Sequence, residues 1–226
     1  MPNEYGLAEY RVYDVAKSPL INYGITLDSY PDRGLLQLYL DIIEKEQPIS
    51  LNLLCRRVAP VYQCRRIGKR LQECVNRVVS QKLCGNAILY RNGFICSSDM
   101  KTVRARYRTE DGFHERYIED ICYEELMEAL RLVMMLMKGA CYRSYLVRET
   151  SKALGFHSHK SKIDDHINRA FDCMVARGDV IKRDAQYRLA IHMLKFEGYK
   201  MGDYQTAQQM QPAAYIKAIQ RKKRKF

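Results

Sequence analysis

Tryptophan is missing from this 226-residue chain, and long apolar runs are missing with it. The longest uninterrupted apolar stretch, Leu132 to Met137, is six residues. A membrane span needs roughly 18. The opening residues, MPNEYGLAEYRVYD, lack the basic and then apolar regions of a secretory signal. A soluble, cytoplasmic protein is therefore expected. No CxxC pair occurs among the eight cysteines, so free thiols are expected rather than a disulfide framework. No G-x-x-x-x-G-K-[ST] phosphate loop occurs, which excludes a P-loop motor in this chain.

Acidic residues are also in short supply. Asp and Glu number 26 against 38 Lys and Arg, a net charge of +12. The excess is local. Residues 51–110 hold 13 basic and 3 acidic residues, and residues 191–226 hold 8 and 2. Residues 1–50 and 111–135 are net acidic, at −4 and −5. A concentrated basic block favours a polyanionic partner, most often nucleic acid.

The sequence contains an internal repeat. Shifted by 92 residues, Gln47–Val79 lies on Gly139–Phe171 without a gap. Leu54 then meets Leu146, Arg56 meets Arg148, Asn76 meets Asn168 and Arg77 meets Arg169. The order of structural signals recurs as well. LLQLYLDIIEKE has helical spacing, and Gln47-Pro48 stops it. Ser50 can cap LNLLCRRVA. A third helix follows near Cys64, with Ile67, Leu71, Cys74, Val75, Val78 and Val79 on one side. AILY-RNG-FIC then reads as a hairpin around Asn92-Gly93. The second copy runs through Leu126–Met137, Tyr145–Leu154, His159–Phe171 and the hairpin DVIKRDAQYRLA. Helix, short strand, helix, helix, hairpin is the order of a winged helix-turn-helix domain. The fold class expected is mainly α with small β-hairpins (α+β), in two tandem winged helix-turn-helix domains. The expected boundaries are an N-terminal arm 1–34, domain 35–100, linker 101–120, domain 121–190 and basic tail 191–226. A short extra strand at Ala105–Tyr107 is allowed for within the linker.

From about Tyr10 to Leu189 the chain resembles the C-terminal domain of unknown function of large bacterial superfamily-one helicase-like proteins. The resemblance rests on YRVYDVAKSPLINYG and on IIEKEQPISLNLLCRRVAPVYQCRRIGKRLQECV. The matching residues are Glu46, Pro48, Ile49, Leu54, Arg56, Arg57, Ala59, Arg66, Gly68, Arg70 and Leu71. In the second copy Gly155, Phe156, Lys162 and Ile163 fit, while Ser158, His159 and Lys160 replace an Arg-Thr-Gly. The resemblance implies a bacterial DNA-processing or defence complex, with a helicase or nuclease subunit as a partner. The motor of the full-length relatives is absent here, so helicase activity is not implied.

Candidate DNA-binding residues are Arg65, Arg66, Lys69, Arg70 and Arg77 on the third helix of the first copy, with Arg91 and Asn92 at the hairpin tip. Such a helix enters the major groove and its arginines read guanine or hold phosphates. The same face of the second copy mixes Lys160, Lys162 and Arg169 with Asp164, Asp165 and Asp172, and is expected to repel phosphate and act as a scaffold or protein-docking copy. The spacing of His157, His159, His166 and Cys173 matches no standard zinc pattern, and no metal or cofactor is expected. Pro31-Asp32 and Asp99-Met100-Lys101 carry the letters of a nuclease centre, but not on paired strands. Nothing in the chain demands an enzyme. Tyr5, Tyr10, Tyr13, Tyr23 and Tyr30 are expected to pin the N-terminal arm across the first domain, or else to stack on single-stranded bases. Arg221–Lys225 read as a flexible electrostatic arm. The leading expectation is non-catalytic double-stranded DNA binding. The rival is a module that docks onto a helicase or nuclease.

Overall fold

The computed structural model describes residues 2–85, 87–108, 116–156 and 161–204. The chain is mixed α/β, with six α-helices and small sheets among the described residues. In chain order these are β1 (Ala8–Glu9), α1 (Arg33–Glu46), β2 (Ile49–Ser50), α2 (Leu51–Val58), α3 (Lys69–Val78), β3 (Ile88–Arg91), β4 (Phe94–Ser97), β5 (Arg106–Tyr107), α4 (Tyr123–Met137), α5 (Arg143–Ala153), α6 (Ser161–Arg177), β6 (Val180–Arg183) and β7 (Gln186–Leu189). They form two compact units. The first comprises Tyr10–Lys101 with residues 116–122; the second comprises residues 2–9, 102–108 and 123–204. Among the described residues, no helix is long and apolar enough to cross a membrane.

In the first unit, the Asp32 carboxylate accepts from Leu35 N at 2.7 Å and starts α1. Leu35, Leu38, Tyr39, Ile42 and Ile43 form its buried stripe. Gln47, the residue before Pro48, is extended and ends the helix. Ser50 then caps α2, its Oγ accepting from Leu53 N at 2.9 Å. Strand β2 pairs with β4, which pairs with β3, in the order β2-β4-β3. Ile49 lies opposite Ile95, and Ile88 opposite Ser97. The β3–β4 turn is made by Asn92 and Gly93, at φ 53° and 78°. Both are left-handed, as the tight hairpin turn requires. The core gathers Leu53, Leu54, Leu71, Val75, Val79, Ile88 and Ile95 onto the α1 stripe.

The second unit repeats this order at the same 92-residue shift. Leu51 and Arg143 open α2 and α5, Lys69 and Ser161 open α3 and α6, and Ile88 and Val180 open the two hairpins. Strand pairing follows. Ile49 faces Ile95 in the first unit, and Cys141 faces Tyr187 in the second, exchanging two backbone hydrogen bonds of 2.8 Å. Asp184, at φ 52°, stands where Asn92 stands in the first hairpin. Leu126, Leu130, Leu146, Ile163, Ile167, Phe171 and Met174 are buried, and Phe171 meets Tyr187 edge to face at 4.9 Å.

Three segments depart from the boundaries expected from composition. The stretch 101–120 is not a bare connector. Val103, Ala105 and Arg106 are buried in the second unit, and Ile118 and Asp120 in the first. β5 pairs in parallel with β1, Ala8 opposite Arg106. The N-terminal arm is divided. Tyr10 is buried in the first unit, whereas Leu7 is buried in the second, where Asn3 Nδ2 donates to Ala153 O at 2.9 Å and Tyr5 donates to Glu149 at 3.2 Å. Tyr23 and Tyr30 are exposed. Residues 191–204 are not tail, because Met193 and Tyr199 are buried. Glu124 accepts from the backbone N–H of Gly202 and Tyr204 at 3.0 and 3.2 Å. The run Arg221–Lys225 and the Asp111-Gly112 pair lie outside the described residues.

Candidate nucleic-acid interface

The third helix of the first unit buries Leu71, Cys74, Val75 and Val78 and turns its other side to solvent. Lys69, Arg70 and Arg77 are exposed on that side. Helix α3 begins at Lys69, later than the sequence pattern suggested, because Gly68 is its extended N-cap. Arg65 and Arg66 therefore lie in the bend before the helix rather than on it, also exposed. Four cations thus surround the start of α3. Gly68 supplies no side-chain cap, and the first turn holds no acid. The positive end of the helix dipole adds to the same field, which suits an anion. Arg91 and Asn92 are exposed at the tip of the β3–β4 hairpin.

Part of this basic face already has partners within the chain. Arg70 Nη2 donates to Asp28 Oδ2 at 3.1 Å, and Arg77 Nη2 donates to Leu27 O at 3.2 Å. Lys82, in the π-helical turn that follows α3, lies 4.6 Å from the Tyr30 ring centre and donates to its hydroxyl. Lys69 reaches Glu73 at 3.7 Å. A small cavity of about 260 Å³ lies between the 27–28 strap and the helix, walled by Arg70, Glu73, Cys74 and Arg77. Apart from Tyr30, residues 27–30 had no sequence signal beyond the negative charge of the first 50 residues. Their seat on α3 depends on contacts more than 40 positions apart.

The second unit differs. Arg143 is fixed to α6 by Asn168 Oδ1 and by Asp172, both at 2.6 Å. Asp164 stands in the first turn of α6. Lys162 and Arg169 are exposed, as is Asp165 between them. Lys160, His157 and His159 lie outside the described residues. His166 stacks against Tyr123, with ring centres 6.0 Å apart, and Cys173 is buried. No cluster of three metal-ligating side chains occurs among the described residues. All eight cysteines carry free thiols. Burial pushes the Cys55 and Cys173 thiols up to about 12, which leaves neither a nucleophile at neutral pH.

Charged side chains are also enclosed in both units. Glu46 accepts from Arg57 Nε at 2.9 and 3.0 Å, from Tyr13 N at 2.9 Å and from the Tyr10 hydroxyl. Asp120 accepts from Ser50 Oγ at 2.6 Å and pairs with Arg56. Arg116 lies 4.5 Å from the Tyr10 ring centre. In the second unit Arg106 pairs with Glu125 at 2.7 Å. Glu46 and Asp120 in the first unit and Glu125 in the second each meet a guanidinium, the usual condition for burying a charge, so these pairs read as braces. No known family profile, curated protein or solved structure matches this chain.

Proposed function

We propose that this chain is a non-catalytic double-stranded DNA-binding protein made of two tandem winged-helix domains, contacting DNA through the third helix and wing of the first. One observation carries the reading. Arg65, Arg66, Lys69 and Arg70 stand exposed around the uncapped, acid-free start of α3. In a winged-helix domain that is the end of the helix that meets base edges and phosphates. The element order with sheet order β2-β4-β3, the exposed Arg91 and Asn92 at the wing tip, and the net charge of +12 support it. The resemblance to the C-terminal domain of helicase-like proteins supplies the setting, a bacterial DNA-processing or defence complex in the cytoplasm.

The second reading is a module that docks onto a helicase or nuclease subunit. It draws on the contacts that Leu27 and Asp28 make with Arg77 and Arg70, which leave fewer cations on α3 available to phosphate. Duplex binding measured against salt separates the two. Each phosphate contact adds about 0.9 to the slope of log affinity on log salt. Replacing Arg65, Arg66, Lys69 and Arg70 by alanine is expected to flatten that slope by about 3 to 4. An unchanged slope would remove α3 from the DNA interface and favour docking.

A further inference from the structure

Compared position by position at the 92-residue shift, the two units differ in what covers the second helix. In the first unit Ser50, Leu53 and Arg56 lie along one side of α2 and its cap. The turn 117–120 sits on Ser50 and Arg56. The Asp120 carboxylate takes the Ser50 hydroxyl at 2.6 Å and pairs with Arg56. The Arg56 guanidinium lies over the Tyr117 ring, 4.8 Å from its centre. The turn is closed on its own acid, since Tyr117 N donates to Asp120 Oδ2 at 3.0 Å. Under this cover Ser50 is buried and the Arg56 side chain is 23% exposed, while Leu53 is buried in the core.

In the second unit the same three places hold Tyr142, Tyr145 and Arg148. The arginine is kept, and the serine and leucine have become tyrosines. Tyr142 is 56% exposed, Tyr145 43%, and the Arg148 side chain 49%. Arg148 folds back over the Tyr145 ring at 5.0 Å and reaches Glu149 only at 3.4 Å. These residues border an open cleft of about 760 Å³, closed on its other side by Asp164 and Asn168 of α6. Exposed tyrosines flanking an arginine are the residue types that anchor protein interfaces.

We infer that the Tyr142–Tyr145–Arg148 face is a docking site for an acidic turn of a partner protein, built like Tyr117–Asp120: a carboxylate for Arg148 and an aromatic or aliphatic side chain for the tyrosines. The chain's own first unit supplies the template for the contact. Local charge selects a peptide over nucleic acid, because Glu149 adjoins Arg148 and Asp164 lines the cleft. Carboxylates this close oppose a run of phosphates, one charge per nucleotide, more than the single carboxylate that one guanidinium can hold. This inference does not depend on DNA binding by α3, which lies in the other unit.

The test is a fluorescein-labelled peptide of residues 117–121 titrated into the full chain, read by anisotropy and by amide chemical shifts. Saturable binding is expected, with shifts centred on 142–148 and on Asp164 and Asn168. Arg148→Ala should weaken it about tenfold, the loss of one charge-assisted hydrogen bond. Asp120→Asn in the peptide should weaken it similarly. An unaltered circular dichroism spectrum of the R148A protein would show that the fold survives, and Tyr142→Ala supplies a second variant if it does not. The inference is overturned if the peptide does not saturate, or if R148A and Y142A bind it as the unmodified chain does, which would mean exchange into the first unit. It is equally overturned if oligothymidylate displaces the peptide from this face, or if R148A abolishes a self-association of the unmodified chain. Those results would assign the face to single-stranded nucleic acid or to a second copy.

Discussion

Removing the Arg57 charge should strongly destabilise the first unit. Glu46 is wholly buried at the C-terminal end of α1, where the helix dipole is already unfavourable to a negative charge. The Arg57 Nε bonds to both carboxylate oxygens at 2.9 and 3.0 Å and supplies the countercharge. Burial alone pulls the Arg57 guanidinium below its ordinary pKa, and Glu46 together with Tyr10 more than reverses that. Arg57→Met keeps the aliphatic stem and deletes the charge. Stranding one partner of a buried pair costs about 3–5 kcal/mol, a large part of the roughly 5–15 kcal/mol that holds a domain folded. Adding Glu46→Gln removes the stranded charge while Tyr10 and Tyr13 N can still donate to the amide oxygen, so the double variant should recover about half of the loss. Urea unfolding followed by far-ultraviolet circular dichroism measures both, since the chain has no tryptophan to report on folding. A cost for R57M below about 1 kcal/mol, or no recovery on adding E46Q, would refute the account of Glu46 as a charge sustained by Arg57.

Leu7 is fully buried in the second unit, so Leu7→Ala should cost about 2–5 kcal/mol in the transition of that unit, measured by hydrogen exchange in α5; exchange unchanged from that of the unmodified chain would show that residues 2–9 are not part of its core. Asp28→Asn removes a carboxylate that holds Arg70 at 3.1 Å. Such exposed pairs contribute little, so duplex binding should tighten by on the order of two- to fivefold, and weaker binding would mean that Asp28 positions Arg70 rather than competes for it. Iodoacetamide at mildly alkaline pH should label exposed Cys84 first, then Cys64 and Cys141, and should reach Cys55 and Cys173 only after denaturant is added. Mass spectrometry of the labelled peptides gives the order, and early labelling of Cys55 would contradict its burial.

The local part of the fold could be read from the residues. The α1 stripe of Leu35, Leu38, Tyr39 and Ile42, the Ser50 cap and the Asn92-Gly93 turn all act over four residues or fewer, and their signals survive in any short window. The repeat was legible because both copies keep one register, and Cys141 facing Tyr187 where Ile49 faces Ile95 extends that register beyond the residues that first revealed it. The parallel pairing of β1 with β5 was not legible as such. Two-residue strands nearly 100 positions apart leave no periodic trace, although Ala105–Tyr107 had the composition of a strand. The enclosed charges were missed for a related reason. Residue type alone gives no sign that Glu46, Asp120, Glu124 and Glu125 are buried, and only partners such as Arg57, Arg56 and the backbone of Gly202 make their burial tolerable. At the candidate interface the basic residues were legible, but the start of α3 was placed too early, because Ile67 continues the apolar pattern across a glycine that caps the helix. The docking face of α5 was hidden inside the repeat alignment. Arg56 and Arg148 were matched there, while the cover on one and the open cleft beside the other exist only in three dimensions.

The division of the first residues between two units has a consequence for biosynthesis. Asn3 donates to the carbonyl of Ala153, 150 positions later, and Leu7 is enclosed by the same unit. A ribosome adding about 5–20 residues per second takes roughly 8 to 30 seconds to cover that distance. Through that interval Leu7 and the β1 edge are made but have nothing to pack against, while residues 10–101 already contain every α-helix and strand described for the first unit. Asp120, which covers α2, emerges only 70 positions after Ser50. The nascent chain therefore carries a complete set of first-unit elements between two unfinished ends. A holding chaperone would be expected to act on the short apolar stretch around Leu7 rather than on the longer helices, which find their partners within their own half of the chain.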